Sequence, residues 1–148
     1  MKMTSMIVVV TLCSFATFGQ VRTAEDDPHW PEQIVKRAFN EVSAGMRTSW
    51  SERYLARLGD SAAPEIMKIV SAKSPTTENA QTALMLVKMS FADPRVIKHE
   101  QNRNPTSTLI LLDYLDRHTG DADLKSKITS TRGQLKAQVS NPEPDKSR

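Results

Sequence analysis

Apolar residues recur along most of this chain at the three- and four-residue spacing of an amphipathic helix, and no stretch alternates as a half-buried strand would. The pattern predicts an all-α fold of about seven helices. They are Pro31 to Ala44, Trp50 to Leu58, and five more that begin after Asp60-Ser61, at Ser74-Pro75, at Asp93-Pro94, after Asn104-Pro105 and at Asp121.

Residues at the helix ends agree with these boundaries. Pro31 suits a first helical turn, where its missing N–H costs nothing, and Gly45 and Gly59 suit C-terminal stops. Ser49 with Glu52 three residues later has the spacing of a capping box, in which each side chain satisfies the other's free backbone N–H. Ser49 is therefore expected to be the N-cap of the second helix.

Two segments, 83–87 and 109–112, are apolar almost all round. A helix of this kind must be covered on more than one side, so the fourth and sixth predicted helices should be central. Leu112 is accordingly predicted to be a core residue.

The N-terminus has the pattern of a secretory signal peptide, predicted over residues 1–19. Lys2 precedes an apolar run at 6–18 that is shorter than the roughly twenty residues a membrane span needs. Small residues at Ser14-Phe15-Ala16 and at Thr17-Phe18-Gly19 allow cleavage before Thr17 or before Gln20. The protein is therefore expected to be exported, periplasmic or secreted, without a stable anchor after cleavage; a buried N-terminal helix or a short uncleaved anchor is the alternative.

The rest of the chain divides into a helical domain over 28–139 and a tail over 140–148 that is expected to be disordered, since it holds two prolines and no apolar residue. Cys13 is the single cysteine and falls inside the predicted leader, so stability must come from packing rather than disulfides. The formal net charge is only +3, and the signs alternate along the chain. This charge pattern argues against nucleic acid or membrane as partners.

A short motif recurs at three of the predicted turns. It appears at 58–66 (LGDSAAPEI), at 91–97 (FADPRVI) and at 119–124 (TGDADL). The clearest copy, with the alanine-rich segment 79–84 after it, resembles the HEAT-like repeats of small bacterial exported proteins. The resemblance covers about Trp50 to Gln138 and implies a HEAT-like α-solenoid, a short stack of antiparallel helix pairs. An irregular helical bundle is the alternative.

Catalytic and metal-binding patterns are not found in the sequence. The histidines at 29, 99 and 118 have no second histidine or cysteine at ligand spacing. Asp121-Ala122-Asp123 begins like a calcium loop, but Lys125, Ser126 and Arg132 occupy positions where the loop needs an oxygen ligand, glycine and glutamate. Asp121 is better interpreted as a helix N-cap. The chain is therefore predicted not to be an enzyme and to need no cofactor.

The remaining candidates are basic residues on two predicted helices, which could contact a polyanion: Arg53, Arg57, Lys125, Arg132 and Lys136. Solvated helix faces are the simpler interpretation, because acidic residues lie beside them. The architecture indicates, by analogy, a protein-binding or scaffold module. An inhibitor or immunity-type protein of an extracytoplasmic enzyme, and weak binding of nucleic acid or an acidic glycan, are the alternatives.

Overall fold

A computed structural model describes residues 29–72, 76–92 and 104–140. Within these ranges every regular element is helical, which confirms the predicted all-α class. The elements are α1 (Trp30–Ser43), α2 (Ser49–Leu58), a 3-10 helix (Gly59–Ser61), α3 (Ala62–Ala72), α4 (Thr77–Ser90), α5 (Thr106–His118) and α6 (Ala122–Ser140). The predicted leader at 1–19, the helix predicted at Asp93-Pro94 and residues 141–148 of the predicted tail lie outside the described residues. Ser140, predicted as the first tail residue, ends α6.

The end of α1 shows how local sequence stops a helix. Gly45 has φ of 73°, which an L side chain rarely adopts. With that turn the N–H of Gly45 reaches the carbonyl of Val42 at 2.9 Å, and the N–H of Met46 reaches that of Glu41 at 2.8 Å. These two bonds form a Schellman motif that satisfies carbonyls left over at the helix end. The stop predicted at Gly45 is confirmed.

The start of α2 differs from the predicted capping box. Thr48, not Ser49, is the N-cap, and its hydroxyl accepts from the N–H of Ser51 at 3.2 Å. Glu52 instead pairs with Arg47. The prediction was wrong by one residue because two hydroxyl residues are adjacent in the sequence. Glu41 of α1 decides between them, since its carboxylate accepts from the hydroxyls of both Thr48 and Ser51.

The connection from α2 to α3 is only one 3-10 turn long. Gly59 ends α2 with φ of 52°, as predicted for a glycine stop. Asp60 follows, and its carboxylate accepts from the N–H groups of Ser107 and Thr108 at the start of α5. The N-cap position of α5 is Pro105, which offers no side-chain acceptor, so Asp60 supplies the missing cap from a distant part of the chain.

The helix α4 lies at the centre of the described residues, as predicted. It packs against α1, α2, α3, α5 and α6. Its buried side chains point in several directions rather than along one stripe: Ala80, Thr82, Ala83, Leu84, Leu86, Val87, Met89 and Ser90. A helix covered on several sides must be apolar around most of its circumference, which explains its sequence.

The other helix predicted to be central, α5, is not covered on all sides. Leu111, Leu112 and Leu115 are fully buried, so Leu112 is a core residue as predicted. Ile110, however, is 58% exposed. The prediction of a central helix was wrong for the side of α5 that carries Ile110. This helix packs on α3 and α6 and only slightly on α4, so the described helices leave that side uncovered.

The packing partners arrange the six helices in two rows. In the first row α3 packs between α1 and α5, and in the second α4 packs against both α2 and α6. Contacts between the rows join α1 with both α2 and α4, α3 with α4, and α5 with both α6 and α4. The buried residues form one main cluster across both rows and a small second cluster around Phe91 and Leu135.

Candidate functional site

The arginines predicted on α2 are exposed to solvent. Arg53 and Arg57 lie one turn apart, and the guanidinium of Arg57 lies 5.5 Å from the centre of the Tyr54 ring. At this distance a cation–π contact contributes modestly at an exposed site. The two arginines are placed where a charged ligand could reach them.

The basic residues predicted on α6 are not equivalent. Lys125 and Lys136 are exposed, whereas Arg132 is 23% exposed and turned towards α5. Its Nη2 lies 2.7 Å from Oδ1 of Asp113 and 3.9 Å from Oδ2 of Asp116. Two carboxylates therefore balance the charge of Arg132, which joins α5 to α6.

The structure does not bring the two basic groups together. The helix α2 packs on α1 and α4, and α6 packs on α5 and α4, so neither is a main packing partner of the other. A ligand would meet Arg53 and Arg57 on one helix, or Lys125 and Lys136 on another. The described residues thus hold no single ridge made of all five predicted cations.

An aromatic cluster next to Arg57 was not predicted as a unit. The Trp50 and Tyr54 ring centres are 4.7 Å apart, and those of Trp30 and Tyr54 are 6.0 Å apart. Arg37 of α1 lies over the Trp50 ring at 3.9 Å. All three rings are partly buried against the main core. Trp50 and Tyr54 are four residues apart on one helix, a spacing that could have indicated the contact.

A groove runs between α4 and α6. It consists of two adjoining cavities of about 320 and 270 Å³, and Lys88 lines both. Leu84, Leu124 and Leu135 contribute to the apolar walls. Met85, 40% exposed, is part of the first cavity. We call this feature the α4–α6 groove.

The polar side chains of the α4–α6 groove are amides, one hydroxyl and cations. They are Gln81, Lys88, Lys127, Thr131, Gln134 and Gln138, and none of the described residues that line either cavity has a carboxylate. Lys127 is held by Asp123, whose Oδ2 lies 2.5 Å from its Nζ. This hydrogen bond raises the pKa of Lys127. Lys88 makes no ion pair within the described residues, so the groove presents a net positive, partly apolar surface.

A second cleft, of about 400 Å³, lies between α1 and α3. Its floor includes Phe39 and Ile69, and its rim carries two ion pairs, Lys36–Glu32 at 2.6 Å and Lys68–Glu65 at 2.8 Å. The hydrogen bond from Lys36 lowers the pKa of Glu32, and that to Glu65 raises the pKa of Lys68. The charges of this rim balance one another, so the cleft offers little to a charged partner.

Chemical groups suited to catalysis or metal binding are sparse in the described residues. No three of their histidine, cysteine, aspartate and glutamate side chains lie close enough to hold a metal ion. His118, at the end of α5, places Nδ1 2.8 Å from the carbonyl oxygen of Tyr114, and Asp121 caps α6 through the N–H of Leu124. None of the helices in these ranges has the length and apolar character that a membrane crossing requires.

No family model, curated protein or solved structure matches this chain. The resemblance to HEAT-like repeats therefore rests on the sequence motif alone. Function has to be inferred from the geometry of the surfaces described above.

Proposed function

We propose that this chain is an exported protein-binding module without catalytic activity, built as a short HEAT-like stack of antiparallel helix pairs. The two rows of helices support this architecture, because α1 with α2, α3 with α4, and α5 with α6 are the contacts between rows that such a stack requires. The seventh helix of the proposed stack is the one predicted at Asp93-Pro94, which lies outside the described residues. Its function needs no cofactor.

The α4–α6 groove is the proposed binding site, and the composition of its lining is the observation that carries the proposal. Met85 offers an exposed apolar contact, and Gln134 and Gln138 can form hydrogen bonds with a peptide backbone. Lys88 can form an ion pair with a carboxylate of the bound segment. Apolar contact and amides recognise a polypeptide better than a bare polyanion, and Lys88 selects an acidic one. The occupant is an acidic, partly apolar segment of another protein.

The length of the groove fits a short extended segment. Leu124 and Gln138 line its two ends and are separated by about 21 Å along α6, at about 1.5 Å per residue. An extended peptide covers about 3.3 Å per residue, so about six residues fill the groove.

Weak polyanion binding finds less support. Arg132 is balanced by Asp113 and Asp116, and the other four predicted cations lie on two separate helices. A polyanion gains affinity by neutralising many phosphates or sulfates along one surface, which this arrangement does not offer.

A fluorescent hexapeptide of alternating leucine and glutamate tests the proposed site by polarisation. It should bind with a micromolar Kd at physiological salt, and Lys88→Glu should weaken binding about tenfold by placing a carboxylate in the groove. Lys136→Glu makes the same charge change on α6 outside both cavities and should leave the Kd within about twofold.

Heparin is the competing probe. The α4–α6 groove is rejected, and the polyanion alternative favoured, if Lys88→Glu and Lys136→Glu weaken peptide binding equally. The same holds if heparin binds more tightly than the peptide at physiological salt and this binding is lost in Arg53→Ala/Arg57→Ala.

The proposal that the chain is exported is tested separately by sequencing the N-terminus of the protein recovered outside the cytosol. The sequence should begin at Thr17 or Gln20, because the apolar run before them is too short to remain as an anchor. Recovery of the full-length chain in the cytosol would contradict export while leaving the groove proposal standing.

A further inference from the structure

The outer face of α5 carries an apolar patch that the described helices leave uncovered. Ile110 is the most exposed large hydrophobic side chain in the described residues, and it lies beside the partly buried Met67 and Tyr114. Together with Asp113, Arg117 and His118 these residues line a shallow cavity of about 260 Å³ between α3 and α5. We call this feature the α5 patch.

The α5 patch carries one charge of each sign. Asp113 and Arg117 are one helical turn apart, on the same flank as Ile110, and both are exposed. Asp113 pairs with Arg132, yet its side chain remains 52% exposed and has room for another donor. A purely acidic or purely basic partner would place a like charge against one of the two.

We propose that the α5 patch binds a second copy of this chain in a two-fold contact with the two α5 helices antiparallel. A two-fold axis reverses the order of the helix, so Asp113 of each copy comes opposite Arg117 of the other, and the favourable pair forms twice. The same rotation brings Ile110 of each copy into the contact, where the aliphatic stem of Arg117 can cover it. Opposite charges next to an apolar residue make the patch complementary to itself.

The contact is small, which sets its strength. The 13 residues of α5 span about 20 Å, at about 1.5 Å per residue. One helix face of this length buries less than the roughly 800 Å² per partner of a standard interface. The dimer is therefore weak, with a dissociation constant of about 10 to 500 μM.

Sedimentation velocity on the purified chain, from about 5 μM to 1 mM, tests the dimer. The wild-type chain should shift from monomer to dimer across this range. Ile110→Asp and Arg117→Asp should each raise the dissociation constant at least about tenfold, the first by losing apolar contact and the second by facing two carboxylates against each other. Met46→Asp, at a side chain 53% exposed in the connection from α1 to α2, is the matched control and should dimerise like the wild type.

Circular dichroism establishes that the substituted chains remain folded, which is expected because all three altered residues are exposed. A wild-type chain that stays monomeric up to about 1 mM overturns the proposal. A dimer that survives Ile110→Asp overturns it as well, because its interface must then lie elsewhere on the surface. Loss of peptide binding to the α4–α6 groove has no bearing on either result.

Discussion

Asp60 caps a helix that begins more than forty residues further along the chain, through its contact with Thr108. Oδ1 of Asp60 accepts from the N–H of Thr108 at 2.8 Å and from its hydroxyl at 2.7 Å, and Oδ2 accepts from the N–H of Ser107 at 3.2 Å. A carboxylate at a helix N-terminus satisfies free N–H groups and interacts favourably with the helix dipole. The turn between α2 and α3 thereby fixes the position of α5.

Replacing Asp60 should therefore destabilise the whole domain. We expect Asp60→Ala to lower the free energy of unfolding by about 1–3 kcal/mol, because Thr108 is buried and loses its hydroxyl partner. Thr108→Val, which removes only the hydroxyl, should cost about 1 kcal/mol. Urea unfolding measures both. In an Asp60→Ala background Thr108→Val should cost much less, and simple additivity of the two effects would show that the residues do not interact.

Glu41 should make stability depend on pH. The hydrogen bonds from Ser51, Arg37 and Thr48 lower the pKa of Glu41 in the folded protein. A carboxyl group with a lowered folded pKa contributes stability above its unfolded pKa, and this contribution is lost as the pH falls through the folded value. The unfolding midpoint should therefore fall more steeply below about pH 4.5 in the wild type than in Glu41→Gln.

Ser51→Ala provides the companion measurement, because it removes the largest cause of the lowered pKa while leaving Glu41 in place. The fall of its unfolding midpoint at low pH should be intermediate between those of the wild type and Glu41→Gln. Identical pH profiles for all three chains would show that Glu41 does not hold α1 to α2 in solution.

Leu112 and Ile110 allow a buried and an exposed residue of the same helix to be compared. Leu112 is completely buried and Ile110 is largely exposed. Leu112→Ala should cost about 2–5 kcal/mol through lost burial and a residual cavity, whereas Ile110→Ala should stay within about 0.5 kcal/mol of the wild type. Thermal or urea unfolding compares the two variants at a protein concentration below the dissociation constant of the proposed dimer. Similar losses would mean that the orientation of α5 is wrong.

Local signals in the sequence were sufficient for most helix boundaries. Gly45 and Gly59 stop helices and Asp121 caps one, because each acts on backbone groups within a few residues. Such short-range signals need no knowledge of the fold. They failed at Thr48, where the choice between two neighbouring hydroxyl residues depends on Glu41 from another helix.

Contacts between distant residues account for what the sequence did not indicate. Arg132 was predicted as a candidate polyanion contact on a solvated helix face, and only the packing of α6 on α5 places it against Asp113 and Asp116. Ile110 was predicted to be covered, and only the position of α5 in its row leaves it open. The α4–α6 groove likewise combines Lys88 with side chains some forty residues away. Periodicity identifies the face of a helix but not its neighbour.

The proposed peptide site can be tested most directly through its methionine. Met85 belongs to the α4–α6 groove, whereas Met46, also exposed, lies in the connection from α1 to α2. Carbon-13 labelling of the methionine methyl groups lets NMR follow both while the leucine–glutamate hexapeptide is added. We predict a saturable shift of the Met85 methyl signal, with Met46 unchanged and with about tenfold more peptide needed for the same shift in Lys88→Glu. A Met85 signal that does not move while the peptide binds would contradict the assignment of the α4–α6 groove as the binding site.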